Sequence, residues 1–191
     1  MAFTPLPLKA GPSFGSKGSA MGPRIQPPIP QGAPPPPKAP RGVRVEERIG
    51  IQAPAAVIWE VLADLPRWHE WNPTYPKAEG ELRIHSVLNL TLALPGEEPE
   101  EIRPKVLDWV PNEQLLWELK ALRGLVRTTR YIEIDPLAEA SCVVDNGEIF
   151  GGLMGPSLGR KMGKVVQRGF RAMNEALKAR AEAIWAERRG A

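Results

Sequence analysis

The side chains that could perform chemistry in this sequence are spread along the chain. His69 lies between two tryptophans in a short segment that is predicted to be helical, where it could reach a cavity as a general base. A lone histidine is more often a surface or packing residue. Cys142 fits a small apolar strand residue, and the neighbouring Ser141 has no histidine close in sequence. We therefore predict no catalytic residue and leave enzymatic activity open.

Motifs for metals and cofactors are not found in the sequence. His69 and His85 lie in different segments, so they do not have the spacing of zinc ligands. Cys142 is the only cysteine, so the chain cannot form an internal disulfide. The glycine-rich run GGLMGPSLG lacks the lysine and the context of a phosphate loop. We expect no metal and no cofactor.

Two charged side chains, Arg130 and Glu148, are expected to face the interior. On its predicted strand Arg130 shares one side with Ile132, and Glu148 shares one side with Phe150. Because charges are seldom buried unless they are paired, we expect the two to meet. The pair would fix strand register as a structural ion pair, or Arg130 would offer spare donors to the polar head of a ligand.

The positive charge of the chain belongs to its N-terminal end. Six basic residues and no acidic residue precede Glu46, a net charge of +6, whereas 19 basic and 22 acidic residues follow from Glu46 onward, a net charge of −3. A nucleic-acid-binding domain carries its basic residues on the fold itself, so nucleic acid is not an expected partner. The single cysteine, the lack of a membrane-length apolar run and the lack of a signal peptide favour the cytoplasm.

Residues 1–42 are predicted to form a basic, disordered, proline-rich tail. Twelve of the 22 prolines fall within residues 1–40, and proline lacks the N–H group that helices and strands require. The tail is either a linker without a role of its own or a segment that binds a protein partner through its polyproline run. Met21 is a possible alternative start.

The folded domain is predicted over residues 43–187, with 188–191 as the C-terminal end. An alternating strand, VRVEERIGI, precedes two short helices, the first starting at Pro54. Short antiparallel strands with Pro- and Gly-containing turns follow; in one of them alternation places Val106 and Trp109 on opposite faces. A long helix is predicted from about Ser157 to Glu187, with Phe170 facing the sheet. Its basic face is either solvated or in contact with an acidic partner.

This order of elements predicts an α+β fold in which a long C-terminal helix covers a curved antiparallel sheet of six or seven strands. A single helix does not fill the concave side of such a sheet, so we expect a cavity between them. Trp59, Trp68 and Trp71 would shape its mouth near the two short helices. An apolar cavity with few polar groups is the usual form of a small-molecule site.

Four segments resemble the START-like superfamily, and more closely its polyketide cyclase/dehydrase branch, the SRPBCC proteins. They are IGIQAPAAVIWEVLADLPRWHEWNP, RPKVLDWVPNEQLLWELK, DNGEIFGGLMGP and FRAMNEALKARAEA, and the resemblance covers roughly residues 43–186. It implies a helix-grip fold with a deep cavity for lipids, isoprenoids or polyketides. Many relatives carry a histidine where this sequence has Arg130, so the resemblance assigns no acid or base there.

The function predicted from these features is binding or carriage of a small hydrophobic molecule. The alternatives are a cyclase- or dehydrase-type enzyme and a protein-interaction module that uses the tail and the basic helix face. The predicted ligand-binding residues are Trp59, Trp68, Trp71, Asn72, Leu90, Leu92, Val106, Trp117, Arg130, Ile132, Glu148, Phe150, Phe170, Met173 and Leu177.

Overall fold

The computed structural model describes residues 42–190, so the predicted tail, apart from Gly42, lies outside the described residues. Within that range the chain forms eight strands and three α-helices. Their bounds are β1 Val43–Ile51, α1 Ala55–Ala63, α2 Trp68–Trp71, β2 Lys77–Glu79, β3 Asn89–Leu92, β4 Glu100–Ile102, β5 Lys105–Val110, β6 Gln114–Ala121, β7 Val126–Ala138, β8 Ser141–Gly151 and α3 Gly155–Gly190.

The strands are divided between two antiparallel sheets. The larger sheet has the order β1-β8-β7-β6-β5, and the smaller one has the order β2-β3-β4. The predicted α+β class with a long C-terminal helix is confirmed, but the single sheet of six or seven strands was wrong in its count. Pro104 separates β4 from β5, since proline cannot donate to a strand ladder. A bridge between Val87 and Lys105 links the two sheets.

Helix α3 packs along β1 and β8 over the inner face of the larger sheet. It begins at Gly155, slightly before the predicted start, and Pro156 occupies its first turn. Phe170, Met173 and Leu177 are each at most 1% exposed, as their spacing predicted. Gly159 allows a close approach, because a Cβ atom there would lie 2.9 Å from the Cβ of Val43. Among the described residues no helix is both long and apolar enough to cross a membrane.

A β-bulge in β5 changes which side chains reach the core. Val106 pairs with Trp117 and Asp108 pairs with Leu116, so one extra residue is inserted between Val106 and Asp108. After the bulge Trp109 lies on the inner side and stacks on Trp59, with 5.8 Å between ring centroids. The prediction that Val106 and Trp109 face opposite sides was therefore wrong, because strict alternation does not hold through a bulge.

Phe170→Ala tests the packing of α3 on the sheet. Because the ring is 1% exposed, its removal should lower the free energy of unfolding by about 3–5 kcal/mol. Leu137→Ala is the matched control, since Leu137 is 68% exposed and its loss should change stability by less than about 0.5 kcal/mol. Denaturant unfolding measures both, and equal effects of the two substitutions would contradict the packing.

Candidate functional site

An apolar cavity of about 220 Å³ lies between the N-terminal half of α3 and the two sheets. Its helical wall repeats every fourth residue, at Leu158, Met162 and Val166. Side chains from both sheets and from the segment after β3 complete the wall: Leu92, Leu94, Glu100, Ile102, Leu119, Ala121, Val126, Thr128, Glu148 and Phe150. Glu100 and Ala121 are exposed, so the cavity opens to solvent on their side.

Apart from Glu100 at the open edge, the polar groups in the sheet wall are Glu148 and Thr128, which lie on neighbouring strands. Glu148 on β8 is the direct cross-strand partner of Arg130 on β7, and Thr128 is two residues before Arg130 on the same face. Burial raises the pKa of the Glu148 carboxyl above its ordinary value near 4.5. The charge of Arg130 and a hydrogen bond from Thr128 act in the opposite direction. The cavity therefore contains a carboxyl group that keeps its proton to a higher pH than an exposed glutamate does.

Behind Glu148, the Arg130 guanidinium is enclosed by aromatic side chains. Arg130 is 2% exposed, and its Cζ lies 3.6 Å from the ring centroid of Phe170 and 5.8 and 5.9 Å from those of Trp117 and Tyr75. Nη2 donates to the sulfur of Met173 at 3.6 Å. Nε and Nη1 have no hydrogen-bond partner in the structure. Arg130 therefore has two buried donors in reserve.

The predicted ion pair between Arg130 and Glu148 is not formed. No ion pair or hydrogen bond joins the guanidinium to a carboxylate within residues 42–190. The two residues do face the same side of the sheet as cross-strand partners. The long arginine side chain extends toward Phe170 and Met173 of α3 instead of turning along the sheet, and strand register alone does not reveal that choice.

Of the predicted site residues, three line the cavity: Leu92, Glu148 and Phe150. The others pack in or against the core, outside the cavity wall. They are Trp59, Trp68, Trp71, Asn72, Leu90, Val106, Trp117, Arg130, Ile132, Phe170, Met173 and Leu177.

The three tryptophans do not shape the cavity mouth as predicted. Trp59 stacks on Trp109, and Trp68 is fully buried with its indole N–H donating to the carbonyl of Leu62 at 3.1 Å. Trp71 lies in a separate surface groove beside Arg180. The aromatic rings fill the end of the domain next to α1 and α2. The cavity lies elsewhere, at the N-terminal half of α3.

Asn72 has a structural role after α2. It is 3% exposed, and its Oδ1 accepts hydrogen bonds from the backbone N–H groups of Thr74 and Tyr75, both at 3.1 Å. This Asx-type turn directs the Tyr75 ring toward Arg130. Burial raises the pKa of the Tyr75 hydroxyl, although the Arg130 charge acts against the shift.

Several cavity residues were missed by the sequence reasoning although their signals were present. Thr128 follows from the same alternation that placed Arg130 inward. Leu158, Met162 and Val166 form an i, i+4, i+8 stripe at the start of α3. The part of the helix that lines the cavity thus lies about three turns before the predicted residues Phe170, Met173 and Leu177.

The remaining candidates for chemistry do not reach this cavity. His69 is exposed, with Nδ1 2.7 Å from the carbonyl oxygen of Pro66, and it borders an open groove on another side of the domain. Cys142 is buried against the carbonyl of Ala53, and burial raises the pKa of its thiol. In the described part of the chain, no three His, Cys, Asp or Glu residues are grouped to hold a metal ion.

A curved antiparallel sheet wrapped around a long C-terminal helix defines the START-like, helix-grip class of protein. Solved structures share this fold. The Zhui aromatase/cyclase from Streptomyces sp. R1128 has a TM-score of 0.61 and 23% identity, over 74% of this chain and 94% of that one. A START superfamily protein from Mycobacterium smegmatis has a TM-score of 0.60 and 20% identity, over 74% and 98%. A norcoclaurine synthase point mutant from Thalictrum flavum has a TM-score of 0.58 and 19% identity, over 76% and 98%.

The sequence itself identifies the family. Residues 42–182 match the family described as polyketide cyclase / dehydrase and lipid transport, and the chain belongs to it. The resemblance inferred from the four sequence segments is therefore confirmed. No curated protein matches the chain.

Glu148→Gln tests the raised pKa of Glu148. Because folding raises this pKa, the folded state binds more protons than the unfolded state between pH 4.5 and the raised value, and wild-type stability falls as pH rises through that window. Glutamine has no such dependence. The stability of Glu148→Gln relative to wild type should therefore increase as the pH rises above about 4.5, as measured by denaturant unfolding at several pH values.

Glu133→Gln provides a comparison, because burial and neighbouring acidic groups also raise the pKa of Glu133, which does not line the cavity. The stability of Glu133→Gln relative to wild type should also increase with pH. A ligand bound in the cavity should change this pH dependence for Glu148→Gln and leave it unchanged for Glu133→Gln. A stability difference for Glu148→Gln that is constant from pH 4 to pH 8 would contradict the burial of this carboxyl.

Proposed function

We propose that this protein binds and carries a small hydrophobic molecule in the cavity between α3 and the sheets. The observation that carries the proposal is an apolar cavity whose sheet wall holds two adjacent polar side chains, Glu148 and Thr128. Apolar walls with a few placed polar groups are how proteins hold and orient small ligands. The body of the ligand contacts Leu92, Met162 and Val166, and its polar end lies at Glu148.

The size of the cavity restricts the ligand. Its volume of about 220 Å³ is below the roughly 300–1,000 Å³ of sites for drug-sized molecules. The ligand is therefore compact, or it is one end of a longer chain that leaves through the opening beside Glu100. The family description, which includes lipid transport, supports an amphiphilic ligand with an apolar body.

Enzymatic cyclisation or dehydration is the second candidate, and Glu148 is the observation that favours it. A carboxyl whose pKa is raised by burial inside a cavity is a candidate general acid or base. The Arg130 guanidinium lies outside the cavity wall, but its positive charge acts on Glu148 and can stabilise an oxyanion that forms beside that carboxyl. The family description includes cyclases and dehydrases, and the similar protein from Streptomyces is an aromatase/cyclase.

Turnover distinguishes the two candidates, since a carrier returns its ligand unchanged. A linear poly-β-ketone substrate gives cyclised or dehydrated product faster with the full chain than without protein only if the protein is an enzyme. The proposed protein partner of the 1–42 tail, the cytoplasmic location and the boundaries of the 43–187 domain remain predictions.

Native mass spectrometry of the purified full chain should show a bound apolar molecule of defined mass. Met162→Trp should remove most of that bound fraction, because the indole would occupy the cavity wall. Gln167→Trp is the matched control, since Gln167 is exposed on the same helix and does not line the cavity. Equal occupancy in both variants, or none in the wild type even after incubation with octanoic acid, would contradict the proposal.

A further inference from the structure

Two loops at one end of the domain expose large apolar side chains next to each other. Leu122 and Leu125, in the turn between β6 and β7, are 60% and 43% exposed, and Leu153 and Met154, between β8 and α3, are 84% and 46% exposed. The backbone N–H of Met154 donates to the carbonyl of Leu125 at 2.9 Å, which holds the two loops together. We call these four residues the leucine patch.

The backbone presents part of this patch in a rarely adopted conformation. Leu122, Arg123 and Gly124 have φ values of 50°, 56° and 88°, so three consecutive residues lie in the left-handed region. A bulky leucine is disfavoured there, yet its side chain gains no burial in return. Such backbone outliers are typical of functional loops.

The segments that carry the patch contain cations and no acidic residue. Residues 119–132 include Lys120, Arg123, Arg127 and Arg130, and residues 149–174 include Arg160, Lys161, Lys164, Arg168 and Arg171; neither segment has an acidic residue. Arg123, Arg160, Lys161 and Lys164 are exposed and form no ion pair within residues 42–190. A groove of about 200 Å³ beside the patch has Lys161 as its charged wall residue.

The patch is next to the apolar cavity. Val126 and Leu158 line both the cavity and the groove beside Leu122 and Met154. Glu100, the exposed acidic residue at the cavity edge, belongs to the smaller sheet, which contributes nothing to that groove. The charged residue in the groove next to the leucine patch is therefore the cation Lys161, and the acidic Glu100 lies on the smaller sheet.

We infer that the leucine patch and its four exposed cations form a docking surface for an anionic lipid bilayer. Leucine and methionine side chains on projecting loops can enter the boundary between headgroups and acyl chains, while lysine and arginine contact the anionic headgroups. The charge complementarity favours this occupant over a second copy of the same basic surface. The inference goes beyond the proposed ligand binding and does not depend on it, because docking can be measured without any cavity ligand.

Sedimentation of the full chain with vesicles tests the docking surface. We expect binding to phosphatidylcholine vesicles that contain about 30 mol% phosphatidylserine, and binding at least fivefold weaker to phosphatidylcholine alone. Leu122→Ser with Leu153→Ser should weaken the binding about tenfold, since apolar contact contributes to interfacial affinity. The matched double substitution Ile84→Ser with Leu137→Ser removes exposed apolar side chains outside the patch and should leave binding unchanged.

The contribution of charge is tested in the same way. Substituting Arg160, Lys161 and Lys164 together by Gln should weaken binding more than tenfold, because each cation at an anionic surface contributes about fivefold. The control substitutes Arg83, Arg103 and Lys105 by Gln, three exposed cations outside the patch. Unfolding temperatures measured for all variants confirm that each is folded.

A probe at the patch reports insertion directly. Cys142 is 1% exposed, so Leu153→Cys provides an accessible thiol for an environment-sensitive fluorophore, and Leu137→Cys provides the matched position outside the patch. We expect a blue shift on anionic vesicles at position 153 and none at 137.

Four outcomes would overturn the inference. The first is no vesicle binding, and the second is equal losses in patch and control variants. The third is binding that survives every patch substitution, which would assign it to the basic residues of the tail. The fourth is a dimer that becomes monomeric on Leu122→Ser with Leu153→Ser while vesicle binding is unchanged, which would make the patch a contact between copies of the chain.

Discussion

The burial of one guanidinium group, that of Arg130, is the constraint on which the interior of this domain depends. A cation at 2% exposure needs compensation, and no carboxylate of residues 42–190 supplies it through an ion pair. Phe170 and Met173 of α3 supply it instead, through a ring 3.6 Å from Cζ and a sulfur acceptor. The charge on β7 thus fixes which turn of α3 lies above it.

That arrangement also determines the chemistry of the cavity. Because Arg130 turns toward the helix, Glu148 is left without an ion-pair partner and its carboxyl forms part of the cavity wall. Burial then raises the pKa of Glu148, and the positive charge of Arg130 outside the cavity wall opposes that shift. Arg130 is not part of the cavity wall, so it acts on a polar ligand head at Glu148 through its charge. The same groups would serve a carrier for orientation and an enzyme for proton transfer.

Most of the fold could be predicted from the sequence, because its signals are local. Helical spacing gave the face of α3 that contains Phe170, and alternation placed Arg130 and Glu148 inward. The bulge after Val106 was not visible, since an inserted residue is set by pairing with β6 and not by composition. The split into two sheets likewise depends on pairing between distant segments.

The candidate site was harder to predict than the fold. Large aromatic residues such as Trp68 were expected at a ligand, but their rings fill the core where the helices meet the sheet. The cavity is lined by smaller side chains, such as Val126 and Thr128, which have no distinctive signature in the sequence. Whether a guanidinium turns toward a carboxylate or toward a ring depends on packing in three dimensions, and strand alternation does not encode it.

The measurement that tests this account most directly compares octanoic acid with methyl octanoate as ligands at about pH 7. Calorimetric titration gives the two dissociation constants for the wild type and for Arg130→Met with Glu148→Gln. Octanoic acid is an anion at this pH. We expect the wild type to bind it about tenfold more tightly than the ester, since only the anion is attracted by the Arg130 charge that acts on Glu148. The double substitution should abolish this preference and leave binding of the ester unchanged. Equal affinity for acid and ester in both proteins would contradict the account.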